Sequence, residues 1–145
     1  MQLYESVRNN LERLGLKIED HEDFFTIYQG IYVRNTRHIV RIDFEEKRNN
    51  FQIYVTLGVT SNNDFELTAK LSNADRNKLY EIANEYNRSY PLSKVYVDNF
   101  GIPMWMIDIP ITPGFSASAE GLIQLLASLL KAIEEFFPKF IDAAE

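Results

Sequence analysis

Between Phe24 and Val59 the chain alternates apolar and polar residues with a period of two, over three consecutive runs. A strand sends successive side chains to opposite faces, so this pattern predicts three strands with one buried side each. In the first run Phe25, Ile27, Ile31 and Val33 share one face, with Phe24, Thr26, Tyr28 and Tyr32 on the other. In the second, Val40, Ile42 and Phe44 oppose Arg37, Ile39, Arg41, Asp43 and Glu45. The third sets Phe51, Ile53, Val55, Leu57 and Val59 against Gln52, Tyr54 and Thr56. The polar turn Lys47-Arg48-Asn49-Asn50 makes the last two an antiparallel hairpin. Such strands need helices on the apolar face, and the flanking sequence supplies them.

Leu3, Val7, Leu11 and Leu14 recur at three- and four-residue spacing before Gly15, which predicts an amphipathic first helix with a glycine stop. Residues 60–72 are expected to connect sheet and second helix through a turn at Ser61-Asn62-Asn63-Asp64. Phe65 and Leu67 then pack down onto the domain. Ser72, with Asp75 three residues on, is expected to cap the second helix, whose apolar stripe is Leu79, Ile82, Ala83 and Tyr86 and which Pro91 closes.

Two more strands follow, Val95 and Val97 in the first and Trp105, Ile107, Ile109 and Ile111 facing inward in the second. Pro103 and Pro110 predict an edge position for that second strand, since proline cannot donate to a ladder, and Pro113-Gly114 is expected to end it. Ser116 or Ser118 then caps a last helix with a stripe from Leu122 to Phe140, which Pro138 is expected to kink or end. The expected fold is α+β in the order α-β-β-β-α-β-β-α. It has five largely antiparallel strands and three helices, in one domain over 1–145.

The sequence has no cysteine, which excludes disulfides and thiolate chemistry. Its net charge of −6 opposes phosphate backbones, so no nucleic-acid partner is expected. Arg34, Arg37, Arg41, Lys47 and Arg48 read as solvated strand ends and a turn. The first residues lack a secretory leader, and no apolar run approaches the ~18 residues of a membrane span, so a soluble cytoplasmic protein without a membrane partner is expected.

No template for catalysis or cofactor binding is present. His21 lies in the charged segment Glu19-Asp20-His21-Glu22-Asp23 without a partner at zinc spacing, and His38 faces inward beside Val40 as a hydrogen-bonded histidine at the core rim. Gly114-Phe115-Ser116 is not a nucleophile elbow, because Ser118 stands where the second glycine belongs. No metal and no cofactor are expected, and the reading is not an enzyme.

The segment A-N-E-Y-N (83–87), then S-K-V-Y-V-D-N-F-G (93–101) and a long apolar helix, resembles the YbjN-like family of bacterial sensory transduction regulators. The resemblance implies the fold shared with type III secretion chaperones, which are homodimers holding extended effector segments on apolar patches. Asn84 and Asn87 match the asparagines that end the corresponding helix in that family. They read as backbone fasteners rather than an active site.

If the apolar faces point to the helices, the opposite face holds Tyr28, Tyr32, Ile39, Tyr54, Tyr96, Met104 and Met106. Tyrosine joins apolar area to a polar tip and methionine adapts to irregular shapes, so both suit partner surfaces. Either a helix or the 60–72 segment covers this face, or a partner does. The leading expectation is a non-enzymatic protein-binding module, a regulator or chaperone-like adaptor that forms a homodimer. The alternative is a small-molecule-binding sensor or an unrecognised enzyme.

Overall fold

The computed structural model describes residues 2–111 and 118–145. In chain order the elements are α1 (Gln2–Arg13), β1 (Glu19–Asp20), β2 (Phe24–Val33), β3 (Thr36–Glu46), β4 (Asn50–Leu57), α2 (Asn62–Ser72), α3 (Arg76–Ser89), β5 (Lys94–Val97), β6 (Pro103–Pro110) and α4 (Ala119–Ala144). The α+β class and antiparallel sheet are as expected, but there are six strands and four helices, not five and three.

The sheet order is β1-β2-β3-β4-β6-β5, with every pairing antiparallel. The burial alternation of β2 to β6 follows the sequence pattern, with Phe25, Ile27, Val40, Ile42, Phe44, Phe51, Ile53, Val55, Trp105 and Ile107 turned to the core. α4 lies across this face, touching α1, α2, α3 and β2. Its Phe137 and Phe140 approach Trp105 with ring centroids 5.6 and 5.8 Å apart. Phe25 and Phe44 stack at 4.6 Å under α1, where Tyr4 meets Phe25 edge-on.

Four local expectations are corrected. Residues 62–72 form a helix rather than a plain connection. Ser61 is its N-cap, accepting from the Asp64 amide, and the buried side is Asp64, Leu67 and Leu71, while Phe65 points outward at 60% exposure. Ser72 therefore ends α2, and Asp75 itself caps α3 through the Asn77 amide. β6 is interior, not an edge: Pro103 and Pro110 stand at its two ends, where ladder bonds run out, so neither proline breaks the middle of the strand. Pro138 does not end α4, which continues to Ala144. The lost backbone bond is offset by Phe136, Phe137 and Phe140, all buried around it.

Smaller differences follow the same logic. α1 stops at Arg13, leaving Leu14 67% exposed and Gly15 at φ +86. Ser118 caps α4 through the Gly121 amide; Ser116 and Pro113-Gly114 lie outside the described residues. β1 is held by a two-pronged bond from the Arg8 guanidinium to Asp20, at 2.8 and 2.6 Å, which also holds the Asp20 carboxyl below its usual range.

The turn between β5 and β6 shows why a glycine stands at 101. Asp98 accepts from the amides of Phe100 and Ile102 through one carboxylate oxygen, closing a tight loop. Gly101 has φ +79, and a Cβ there would lie 2.4 Å from the Leu71 carbonyl oxygen at the end of α2. Both conformation and close approach require glycine. Gly101→Ala is expected to lower stability by roughly 2–4 kcal/mol, read by urea unfolding, with α2 the first element to lose amide protection.

Candidate functional site

All seven residues expected on the outer face lie there. Tyr28, Tyr32 and Tyr96 are exposed at 39%, 63% and 53%, and Ile39, Tyr54, Met104 and Met106 are half-buried. The register groups them. Tyr54 pairs with Met106 and Tyr96 with Met104, making one patch over β4, β6 and β5. Tyr28, Tyr32 and Ile39 make a second over β2 and β3. Gly58 fits between: a Cβ there would come within 3.2 Å of Ile39 Cγ2 and 3.3 Å of Tyr28 Cδ1. The described helices pack on the other side.

A polar band separates the patches. The Thr26 hydroxyl donates to Asp43 at 2.6 Å, and Arg41 Nε donates to the same carboxylate oxygen at 3.0 Å. His21 Nε2 lies 3.1 Å from the Thr26 hydroxyl and 3.2 Å from Glu19, while its ring stacks on Phe24 at 4.3 Å. His21 is thus a lid over Thr26. Among the described residues no group of three or more histidine or carboxylate side chains is arranged to hold a metal ion. The basic residues are dispersed: Arg34 pairs with Asp142, Arg41 with Asp43 and Lys47 with Glu45, while the Arg37 guanidinium lies on the backbone of Gly30.

The two edges of the sheet differ. At β5, the Asn87 side chain accepts from the Val95 amide at 2.7 Å and donates to the Val95 carbonyl at 3.1 Å. One amide thereby does at Val95 what a neighbouring strand would do. Asn84, by contrast, is exposed, and its side chain bonds to none of the described residues. At β2, β1 covers only Phe24 to Thr26. In an antiparallel ladder alternate residues bond to opposite sides, so the N–H and C=O groups of Tyr28, Gly30 and Tyr32 face away from β3. Among the described residues nothing pairs with them. The free edge carries two of the exposed tyrosines.

His38 is buried, as expected. Its Nδ1 lies 3.0 Å from Asp64 Oδ1, a fully buried carboxylate that also accepts from the Ile39 amide at 3.4 Å. The pair joins α2 to β3. Asp64 escaped the sequence reading, because its place in a polar tetrad made it look like a turn residue. The dyad lacks a nucleophile: among the described residues no hydroxyl is bonded to His38.

Tyr86 lies buried between Trp105, Tyr90 and Phe136, with its hydroxyl 2.7 Å from Ser93 Oγ. Burial pushes its phenol above the usual tyrosine value of 10.0. The folded state therefore holds this proton more tightly than the unfolded state. Its contribution is complete below pH 10.0 and is lost as the pH rises above it. Tyr86→Phe is expected to cost about 1 kcal/mol at neutral pH by stranding the Ser93 hydroxyl, and to flatten the loss of stability above about pH 10, both read in urea titrations across pH.

The pattern that defines the YbjN family, "Putative bacterial sensory transduction regulator", matches residues 4–142. No curated protein matches the chain. Among solved structures it is similar to YbjN of E. coli, described as a putative transcription regulator, at 12% identity and TM-score 0.51, covering 96% of this chain and 89% of that one. It is also similar to an uncharacterized protein from Methanothermobacter thermautotrophicus, at 13% identity and TM-score 0.55, covering 97% and 98%. At these identities the structures share a fold, and the match over residues 4–142 carries the assignment: the chain belongs to the YbjN family.

Proposed function

We propose that this protein is a non-enzymatic protein-binding module, a regulator or chaperone-like adaptor, that works as a homodimer in the cytoplasm. The observation that carries the reading is the sheet face bearing Tyr28, Tyr32, Tyr54, Tyr96, Met104 and Met106, which no described helix covers and which runs into the free edge of β2. An extended segment can add to such an edge through main-chain hydrogen bonds and seat its side chains between the tyrosines. The fold of type III secretion chaperones, which the sequence resemblance implies, would suit this use. No described helix is long and apolar enough to cross a membrane.

The reading separates the two faces. Replacing Tyr54, Tyr96 and Met106 by serine or threonine is expected to leave circular dichroism and melting temperature nearly unchanged. Self-association or partner capture should weaken by ~2–4 kcal/mol. Trp105→Ala, on the same strand as Met106 but facing inward, is expected to cost ~3–5 kcal/mol of stability. Light scattering of the wild type at micromolar concentration should return twice the chain mass of 16.9 kDa. A mass of one chain removes the dimer, and a triple variant that unfolds removes the partner face.

A further inference from the structure

On the helix side of the sheet, away from the proposed partner face, a cavity of about 260 Å³ lies between the β2–β3 hairpin, α2 and the end of α4. Its walls carry both signs of charge. His38 lines it, and with Nδ1 committed to Asp64 the remaining ring nitrogen, Nε2, is the one available to a ligand. A buried imidazole oriented by a carboxylate is a fixed hydrogen-bonding group, not a solvated one.

Lys70 and Glu66 line the cavity from α2, four residues apart. At that spacing opposite charges on a helix ordinarily pair. Among the described residues neither side chain has an ion pair or a hydrogen bond, and both, exposed to solvent, border the cavity. Glu145 adds a second carboxylate at the end of α4, while Val33, Leu67 and Ile141 supply an apolar wall.

The third wall is the two-residue β2–β3 turn, Arg34 and Asn35, at the paired positive φ values of +52 and +66 that such a hairpin turn requires. The Arg34 guanidinium fixes the turn to α4 by two bonds to Asp142, at 2.5 and 2.8 Å.

We propose that this cavity binds a small zwitterion of the free α-amino-acid class. The carboxylate is taken by the Lys70 ammonium, the α-ammonium donates to Glu66, Glu145 and His38 Nε2, and the side chain lies on the apolar wall. The Glu66 and Glu145 carboxylates at the cavity disfavour a multiply charged anion, and the Lys70 ammonium disfavours a simple amine, since the Arg34 charge is already paired with Asp142.

The test is a titration of the isotope-labelled full chain with glycine, L-leucine and L-glutamate, followed by NMR at the Val33, Leu67 and Ile141 methyls and the His38 ring. At least one of the three should give saturable shifts confined to these groups. For leucine the two half-charged analogues, 4-methylpentanoate and 3-methylbutylamine, should each bind at least tenfold more weakly. Lys70→Met and Glu66→Gln, both exposed and without other recorded bonds, should keep the fold and each weaken binding at least fivefold. Absence of saturable shifts with all three amino acids overturns the proposal. So does an analogue that binds as tightly as leucine, or binding indifferent to both substitutions.

Discussion

The structure depends on a one-sided sheet. Every strand from β2 to β6 presents its large apolar residues to the same side, and four helices must share that side. α4 decides the arrangement, because its aromatic stripe sits on Trp105 and also touches α1, α2 and α3. A long helix across the middle of a six-stranded sheet leaves the other helices to fill the flanks. Burial of Phe136, Phe137 and Phe140 is large enough to carry α4 through Pro138, where a less anchored helix would stop. Trp105 shows how firmly packing governs here: its indole N–H is buried with no described partner, a cost accepted for the ring's place in the seam.

Much of this was legible in the sequence, and the misses share a cause. Period-two alternation placed β2, β3 and β4 and their faces, because each strand is long enough to repeat the pattern several times. α2 was missed because it buries only Leu67, Leu71 and the charged Asp64, too few apolar residues to show a helical period. β1 has two residues and both are acidic. The interior place of β6 could not be read from Pro103 and Pro110, since proline forbids a mid-strand donor but says nothing of neighbours beyond the strand ends. The seven outer-face residues followed from alternation alone. The free edge of β2 did not, because it depends on β1 being too short to cover its neighbour.

Of the residues that carried the family resemblance, Tyr86, Asn87, Asp98 and Gly101 fasten the fold, and Asn84 does not. Asn87 binds both backbone groups of Val95, Asp98 collects the amides of the following turn, and Gly101 lets that turn meet the end of α2. Tyr86 reaches Ser93 across the same corner. These contacts join α3, β5 and the β5–β6 turn into one unit whose geometry depends on a few side-chain–backbone bonds rather than on core composition.

The same corner explains why the sheet's two edges are treated differently. An exposed edge invites pairing with any extended chain, and β5 has its outward backbone groups at Val95 occupied by Asn87. At the opposite end β1 shields only the first turn of β2, leaving Tyr28, Gly30 and Tyr32 with outward-facing donors and acceptors. Each end is covered in part, by Asn87 at Val95 and by β1 up to Thr26, and the longer open stretch borders exposed tyrosines and a glycine whose missing side chain is filled by the Arg37 guanidinium. The proposed extended partner would find at β2 a backbone ladder on one side and aromatic surface on the other.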